Sequence, residues 1–365
     1  MGDRKIKVGI TQGDINGIGT EVIIKALMDA RMAEMCIPVI YGSAKAISFY
    51  KKTIGEAENF QFNLISSAKD ARAKRVNLID VSGEEIRIEP GTMTGEAGTA
   101  SVQALRTAAK DLKTGDIDVM VTAPVCKENI QSKDFTFTGH TEFFAAEFGG
   151  EPTMMMCSDL LKVGLVTIHI PIAEVSPSIT REKIVKKLRE LRKTLIQDFS
   201  VHEPRIAVLS LNPHAGDGGL IGKEDQEIVL PAIQEAAREK VLAFGPFPAD
   251  GFFASAGYAK YDALLAMYHD QGLAPFKALS HDGVNYTAGL AIVRTSPAHG
   301  VGFDIAGKNM ADESAMREAI YLAIDIFESR QIYARISADP LKLHKRETGG
   351  KDVSVFDLPQ EEVKD

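Results

Sequence analysis

Three stretches decide the fold: residues 163–171 read VGLVTIHIP, residues 206–219 read IAVLSLNPHAGDGG, and residues 263–272 read ALLAMYHDQG. Each is a short apolar run that passes straight into a polar loop. Such runs, bounded by turn residues, read as buried strands. The pattern recurs at 8–11, 38–41, 76–81 and 119–122. Amphipathic stretches lie between. Val102, Leu105, Ala109 and Leu112 share one helical face, as do Ile184, Leu188, Leu191 and Leu195. Strand–helix alternation predicts an α/β fold of parallel sheets covered by helices. In such sheets ligands bind outside the carboxyl ends of strands, where this chain places its notable polar residues.

The 365 residues predict two domains or one large α/β unit. With 45% hydrophobic and 25% charged residues, the composition is that of an ordinary globular protein. A net charge of −8 argues against a nucleic-acid partner, which needs a basic surface. Cys36, Cys126 and Cys157 form no disulfide framework and fit a reducing compartment. The start, MGDRKIKVGITQGD, has no long apolar run. Neither a signal peptide nor a membrane span is expected, and a cytoplasmic location is. The basic stretch 181–193 has a clean apolar stripe and reads as a solvated helix face. The segment 342–365 reads as a loose extension.

His169, His214 and His269 each follow a predicted strand. Strand ends hold a side chain well, and neutral imidazole is a favoured ligand for divalent metals. Three protein ligands with one open position is the catalytic arrangement. The spacing between them matches no local metal motif, so each could equally be an ordinary core or surface residue. Asp217, Asp250 and Asp270 lie close by in sequence. They could orient imidazoles or act as a base, although Asp beside Gly also serves turns, the reading favoured for Asp217.

In Thr138-Gly-His-Thr-Glu142, Thr138 could cap a helix and leave His140 and Thr141 in a first turn whose N–H groups suit an anion. The loop QGDINGIGT, residues 12–20, matches neither the dinucleotide fingerprint nor a P-loop. Its glycines could cradle an anion or simply make turns. Lys277, Asn285 and Arg294 lie near one another in sequence and could meet a phosphate. Residues 299–307, HGVGFDIAG, form a glycine-rich loop with one carboxylate.

Together these segments resemble the 4-hydroxythreonine-4-phosphate (4-phosphohydroxy-L-threonine) dehydrogenase family of pyridoxal phosphate biosynthesis. The resemblance runs from about residue 8 to 324. It rests on ITQGDINGIGTEV, TAPVCKENI, FTGHTEFFA, LNPHAGDGG, GPFPADG, YHDQGLAPFK, GVNYTAGL, RTSPAHG and FDIAGK in that order. Cys126 stands where the family usually has histidine, and Ile15 and Thr20 where proline is common. The resemblance implies two α/β/α domains of the isopropylmalate/isocitrate dehydrogenase type, with the active site in the interdomain cleft. Residues 1–130 plus 285–365 would form the cofactor-side domain. Residues 131–284 would carry metal, substrate and dimer contacts. It implies His169, His214 and His269 as ligands of a divalent metal (Zn, Mg or Co), with His269 reaching across a homodimer to a shared site. Substrate contacts would be His140, Thr141, Lys277, Asn285 and Arg294. NAD, with NADP as the alternative, would meet His299, Gly300 and Asp304. Asp250 or Asp270 would be the catalytic base.

The expected reaction is oxidation and decarboxylation of 4-phosphohydroxy-L-threonine to 3-amino-2-oxopropyl phosphate. Two readings compete. A close relative could oxidise 4-phosphothreonate or 4-phosphoerythronate in sugar-acid breakdown. A three-histidine site beside a phosphate pocket could also belong to a metal-dependent phosphohydrolase.

Overall fold

In the computed structural model, which describes residues 4–83, 86–137 and 139–341, every predicted apolar run forms a strand. In chain order the strands are β1 (Lys7–Thr11), β2 (Ile37–Gly42), β3 (Phe62–Leu64), β4 (Val76–Asp80), β5 (Val119–Thr122) and β6 (Gly150–Cys157), then β7 (Lys162–Leu165), β8 (Arg205–Leu209), β9 (Leu242–Phe247), β10 (Ala263–Ala266), β11 (Val284–Leu290) and β12 (Arg294–Pro297). They form one sheet of twelve strands, ordered β3-β4-β2-β1-β5-β12-β11-β6-β7-β10-β8-β9. One flank, β3 through β12, is parallel throughout. So is the other, β7 through β9.

The centre differs from the expectation of parallel pairing alone. There β12–β11, β11–β6 and β6–β7 pair antiparallel. For β12–β11 and β6–β7 the reason is connection length. Residues 291–293 and 158–161 are hairpin turns, too short for the crossover that parallel neighbours require. These central strands carry Thr, Gly, Met and Asn rather than aliphatic runs, so apolar runs alone do not reveal them.

Both faces of the parallel flanks are covered. All four residues of β5 and of β10 are buried. The helix Gly95–Thr114 packs its stripe of Ala97, Ala104, Leu105, Ala108 and Leu112 inward. Thr94 caps its start by accepting from Ala97 N–H, and Gly115 ends it in the left-handed conformation. The helix Arg181–Asp198 buries Ile184, Leu188, Leu191 and Leu195. Its basic face is solvated and ion-paired, Lys186 with Glu151 and Arg189 with Glu239. Thr138 and the segment 342–365 lie outside the described residues. Among the described residues no helix is long and apolar enough to cross a membrane.

The loop after β1 is a structural knot. Gln12, Asp14 and Asn16 are wholly buried. Gln12 donates to Thr20 Oγ1, and its own carbonyl accepts from Ser43 N–H. Asp14 accepts from Asn16 N–H and from Asn129 Nδ2. Gly13 has φ +70°, and a Cβ there would meet Pro124 O at 2.3 Å. The polar groups of this glycine-rich loop are spent on neighbouring segments, Ser43, Glu89, Thr92, Thr94 and Asn129 among them, so it ties the chain together after β1.

Candidate active site

Four adjacent parallel strands deliver the three residues expected to bind metal and one candidate base. β7, β10, β8 and β9 lie side by side and run the same way. His169 follows β7, His269 follows β10, His214 follows β8 and Asp250 follows β9. After β7 the chain stays in ladder with its neighbour. Val166 N–H donates to Ala266 O, and Thr167 Oγ1 donates to Met267 O. That pairing carries His169 up beside His269, with ring centroids 5.6 Å apart.

His269 opens the helix His269–Leu279. This helix is seated very close to the sheet. A Cβ on Gly272 would meet Leu165 Cδ2 and Val163 Cγ1, each at 2.9 Å. Gln271 fastens it further, accepting from Met267 N–H and donating to Ser210 O. The His269 Nδ1 stands 2.7 Å from Asp270 Oδ1. A carboxylate in that position holds the proton on Nδ1 and leaves Nε2 free for a ligand.

These two imidazoles line a cavity of about 640 Å³. Of the residues singled out from the sequence, the same cavity collects His140, Thr141, Lys277, Asn285, Arg294, His299 and Gly300. They come from the helix His140–Phe148, the helix His269–Leu279, β11, β12 and the following loop. Arg294 is 3% exposed. Its guanidinium donates to the hydroxyls of Thr122 and Thr287, and no carboxylate pairs with it among the described residues. Burial pushes its pKa down to about 9, so it remains a cation at neutral pH. His140 is held well below its ordinary value by burial, then by the charges of Arg294 and Lys127. Burial, Lys127 and His269 likewise lower His169. Both are therefore neutral at pH 7, the form that ligates and accepts protons.

Three polar atoms here are buried without a partner: His140 Nε2, Asn285 Oδ1 and His299 Nε2. Buried polar atoms are almost always paired. An orphaned set beside an uncompensated guanidinium is a site shaped for an anionic, hydrogen-bonding ligand. His299 also borders a second cavity of about 580 Å³ with Ile18, Asp312 and Ser314. Asp304 is exposed and borders neither.

Other residues stand apart. His214 is exposed on the loop Pro213–Gly219, and Asp250 is exposed in the first turn of the helix Ala249–Ala254. Neither lines the cavity. Among the described residues of one chain, no three His, Cys, Asp or Glu come together as a metal site. Within one chain His269 sits beside His169. The cavity also holds two groups the sequence reading passed over, Lys127 and Glu142. The signal for them was position: Lys127 lies just past β5, and Glu142 lies in the first turn of the helix that begins at His140.

Comparison with known proteins identifies the family. The family model described as pyridoxal phosphate biosynthetic protein PdxA matches residues 34–323. The chain is 48% identical over 345 residues to a Bacteroides thetaiotaomicron protein named 4-hydroxythreonine-4-phosphate dehydrogenase, covering 94% of each. It is 36% identical over 327 residues to an Oceanobacillus iheyensis protein provisionally named D-threonate 4-phosphate dehydrogenase, covering 88% of this chain and 98% of that one. The crystal structure of 4-hydroxythreonine-4-phosphate dehydrogenase from Klebsiella pneumoniae superposes with a TM-score of 0.77 at 31% identity, covering 90% of this chain and 99% of that one.

Proposed function

This chain belongs to the 4-hydroxythreonine-4-phosphate dehydrogenase family of pyridoxal phosphate biosynthesis, and we propose that it oxidises and decarboxylates 4-phosphohydroxy-L-threonine to 3-amino-2-oxopropyl phosphate. The observation that carries the reading is Arg294, a buried cation with hydroxyl partners only, in one cavity with two neutral histidines and three orphaned polar atoms. In this reading Arg294 and Lys277 hold the phosphate, a dianion near pH 7. Thr141 and His140 at the start of their helix add hydrogen bonds and a favourable dipole. Asn285 Oδ1 accepts from a substrate hydroxyl or amine. These contacts fix C3 beside His169 and His269, so a substrate lacking its phosphate should lose turnover as well as affinity.

The residues present fit a divalent cation in part. Two free imidazoles are in place, one of them oriented by Asp270. The third ligand, His214, would come from a second copy of the chain in a homodimer, with Asp250 beside it as the base. When bound, such a cation would favour loss of the C3 hydroxyl proton and the negative charge that follows on that oxygen, and NAD would take the hydride. The C3 ketone lies β to the C1 carboxylate. Carbon dioxide then leaves with the C1–C2 bond electrons remaining on C2, and a proton is added there. The nicotinamide would enter past His299 and Gly300, with the remainder of the dinucleotide toward the cavity of Ile18 and Asp312. Residues 1–130 with 285–365 would then be the cofactor side, and 131–284 the metal side.

The test is NADH formation from 4-phosphohydroxy-L-threonine and from 4-phosphothreonate, with and without chelator. Chelator-sensitive NADH from the amino substrate is expected. Preference for phosphothreonate would favour the second reading, which the Oceanobacillus relative suggests. Phosphate release with no absorbance change would overturn both.

A further inference from the structure

Among the residues lining the cavity of Arg294 and His169, Glu142 is the single carboxylate, and Lys127 the single cation that the phosphate-binding set does not use. Neither forms an ion pair among the described residues. They flank the same glycine. A Cβ on Gly139 would stand 3.5 Å from Glu142 Oε2 and 3.9 Å from Lys127 Cε. Both line the cavity together with Arg294 and His169. Glu142 favours the protonated forms of both Arg294 and His169, while Lys127 opposes protonation of both His140 and His169. An acid and a base, side by side and unspent, match a ligand that carries a cation and an anion on neighbouring atoms. An α-amino acid is such a ligand; a 2-hydroxy acid is not, because it offers no cation to the carboxylate.

We propose that Lys127 and Glu142 form a clamp for the amino-acid end of the substrate, Lys127 taking the C1 carboxylate and Glu142 the C2 ammonium, and that Glu142 thereby sets the choice of an amino acid over a hydroxy acid. This rests on the dehydrogenase reading above. It assigns the two residues different signatures. Every candidate substrate has the C1 carboxylate, so Lys127 serves all of them. The ammonium belongs to the amino substrate alone. A purely structural Glu142, placed to favour its helix N-terminus or to offset Arg294, would not distinguish them.

The experiment measures kcat/KM for 4-phosphohydroxy-L-threonine and 4-phosphothreonate in the metal-loaded enzyme and in Glu142→Gln, Glu142→Asp and Lys127→Met. Calorimetric affinities for the same two ligands give the ratio without turnover. In Glu142→Gln the amino-over-hydroxy ratio should fall roughly 10- to 100-fold, the range of one charge-assisted hydrogen bond. Glu142→Asp should recover part of it, and Lys127→Met should lower both ligands without moving the ratio. An unchanged ratio in Glu142→Gln, with both ligands weakened equally, overturns the clamp. Absence of NADH from either ligand overturns the dehydrogenase reading instead, and the calorimetric ratio then still decides the role of Glu142.

Discussion

Replacing Arg294 with methionine should remove activity without the loss of stability expected of a buried-residue change. The guanidinium is 3% exposed. Burial has moved its pKa from 12.5 to about 9, which corresponds to roughly 5 kcal/mol against the charged form. The sign matters. A cation whose folded pKa is depressed destabilises the fold at every pH below that value, so at pH 7 the full penalty is present and fades only above about pH 9. Methionine removes the charge and leaves the hydroxyls of Thr122 and Thr287 without their donor. Each unpaired buried hydroxyl costs about 1–3 kcal/mol. The two effects nearly offset, with a net gain of up to about 3 kcal/mol. Ligand linkage gives the decisive measurement. With a Kd of about 1 mM, 10 mM inorganic phosphate should stabilise the wild type by about 1.4 kcal/mol and raise its Tm. The variant should show no such rise, and its kcat/KM should fall roughly 100-fold. Equal stabilisation of both proteins by phosphate would refute the reasoning. So would a variant that loses stability heavily while keeping its turnover.

Other consequences follow from the same geometry. If His169 and His269 serve one site and His214 comes from the partner copy, mixed dimers of His169→Ala with His214→Ala should regain one intact site and close to half of the activity per exchanged dimer. Mixtures of His169→Ala with His269→Ala should regain none, which subunit exchange followed by NADH assay will show. Burial holds His140 neutral with a depressed pKa. Its contribution to stability is therefore whole above about pH 6.5 and is lost as pH falls below that value. Thermal melts of His140→Gln should accordingly show a shallower decline on acidification than the wild type. Gly272→Val should push the helix His269–Leu279 off β7 and β10, costing about 1–3 kcal/mol by overpacking. It should lower kcat by displacing His269, measured against an unchanged fold by circular dichroism.

Much of the architecture was legible because parallel strands buried on both faces leave an unmistakable trace. VGLV, IAVL and ALLA admit few other readings, and the histidines after them follow from the rule for carboxyl ends. The antiparallel centre was not legible. Strand β11 reads VNYTAGL, and its Asn285 and Thr287 look like loop or ligand residues when alternation is the only guide. Burial of charge was equally hidden. Arg294 on its own spells a surface arginine, and nothing short of the tertiary structure shows that it stands on β12 between β5 and β11, donating only to hydroxyls. The glycine-rich loop after β1 erred the other way. Its composition suggests a ligand cradle, while its buried polar side chains are spent on bonds that tie it to neighbouring segments.

The loop that carries His214 bears on the proposal that this histidine completes the metal site of a second copy. His214, Ala215, Gly216, Asp217 and Gly218 all have positive φ, from 43° to 78°. For the residues other than glycine this costs on the order of 1–2 kcal/mol each. The chain sustains it with two acidic anchors. Asp225 accepts from Leu211 N–H, Asn212 N–H and Asn212 Nδ2, and Glu224 accepts from Asn212 Nδ2 and Ser176 Oγ. Strain of this kind persists where the surroundings over-determine it, and it concentrates at functional positions. Yet the loop does not use the strain to fill its own core. It presents an exposed histidine, followed by Leu220 at 85% and Ile221 at 42% exposure. An apolar tip and a rigidly aimed imidazole are of little use in water. Both find a use if the tip is buried against a second copy, bringing His214 to that copy's His169 and His269.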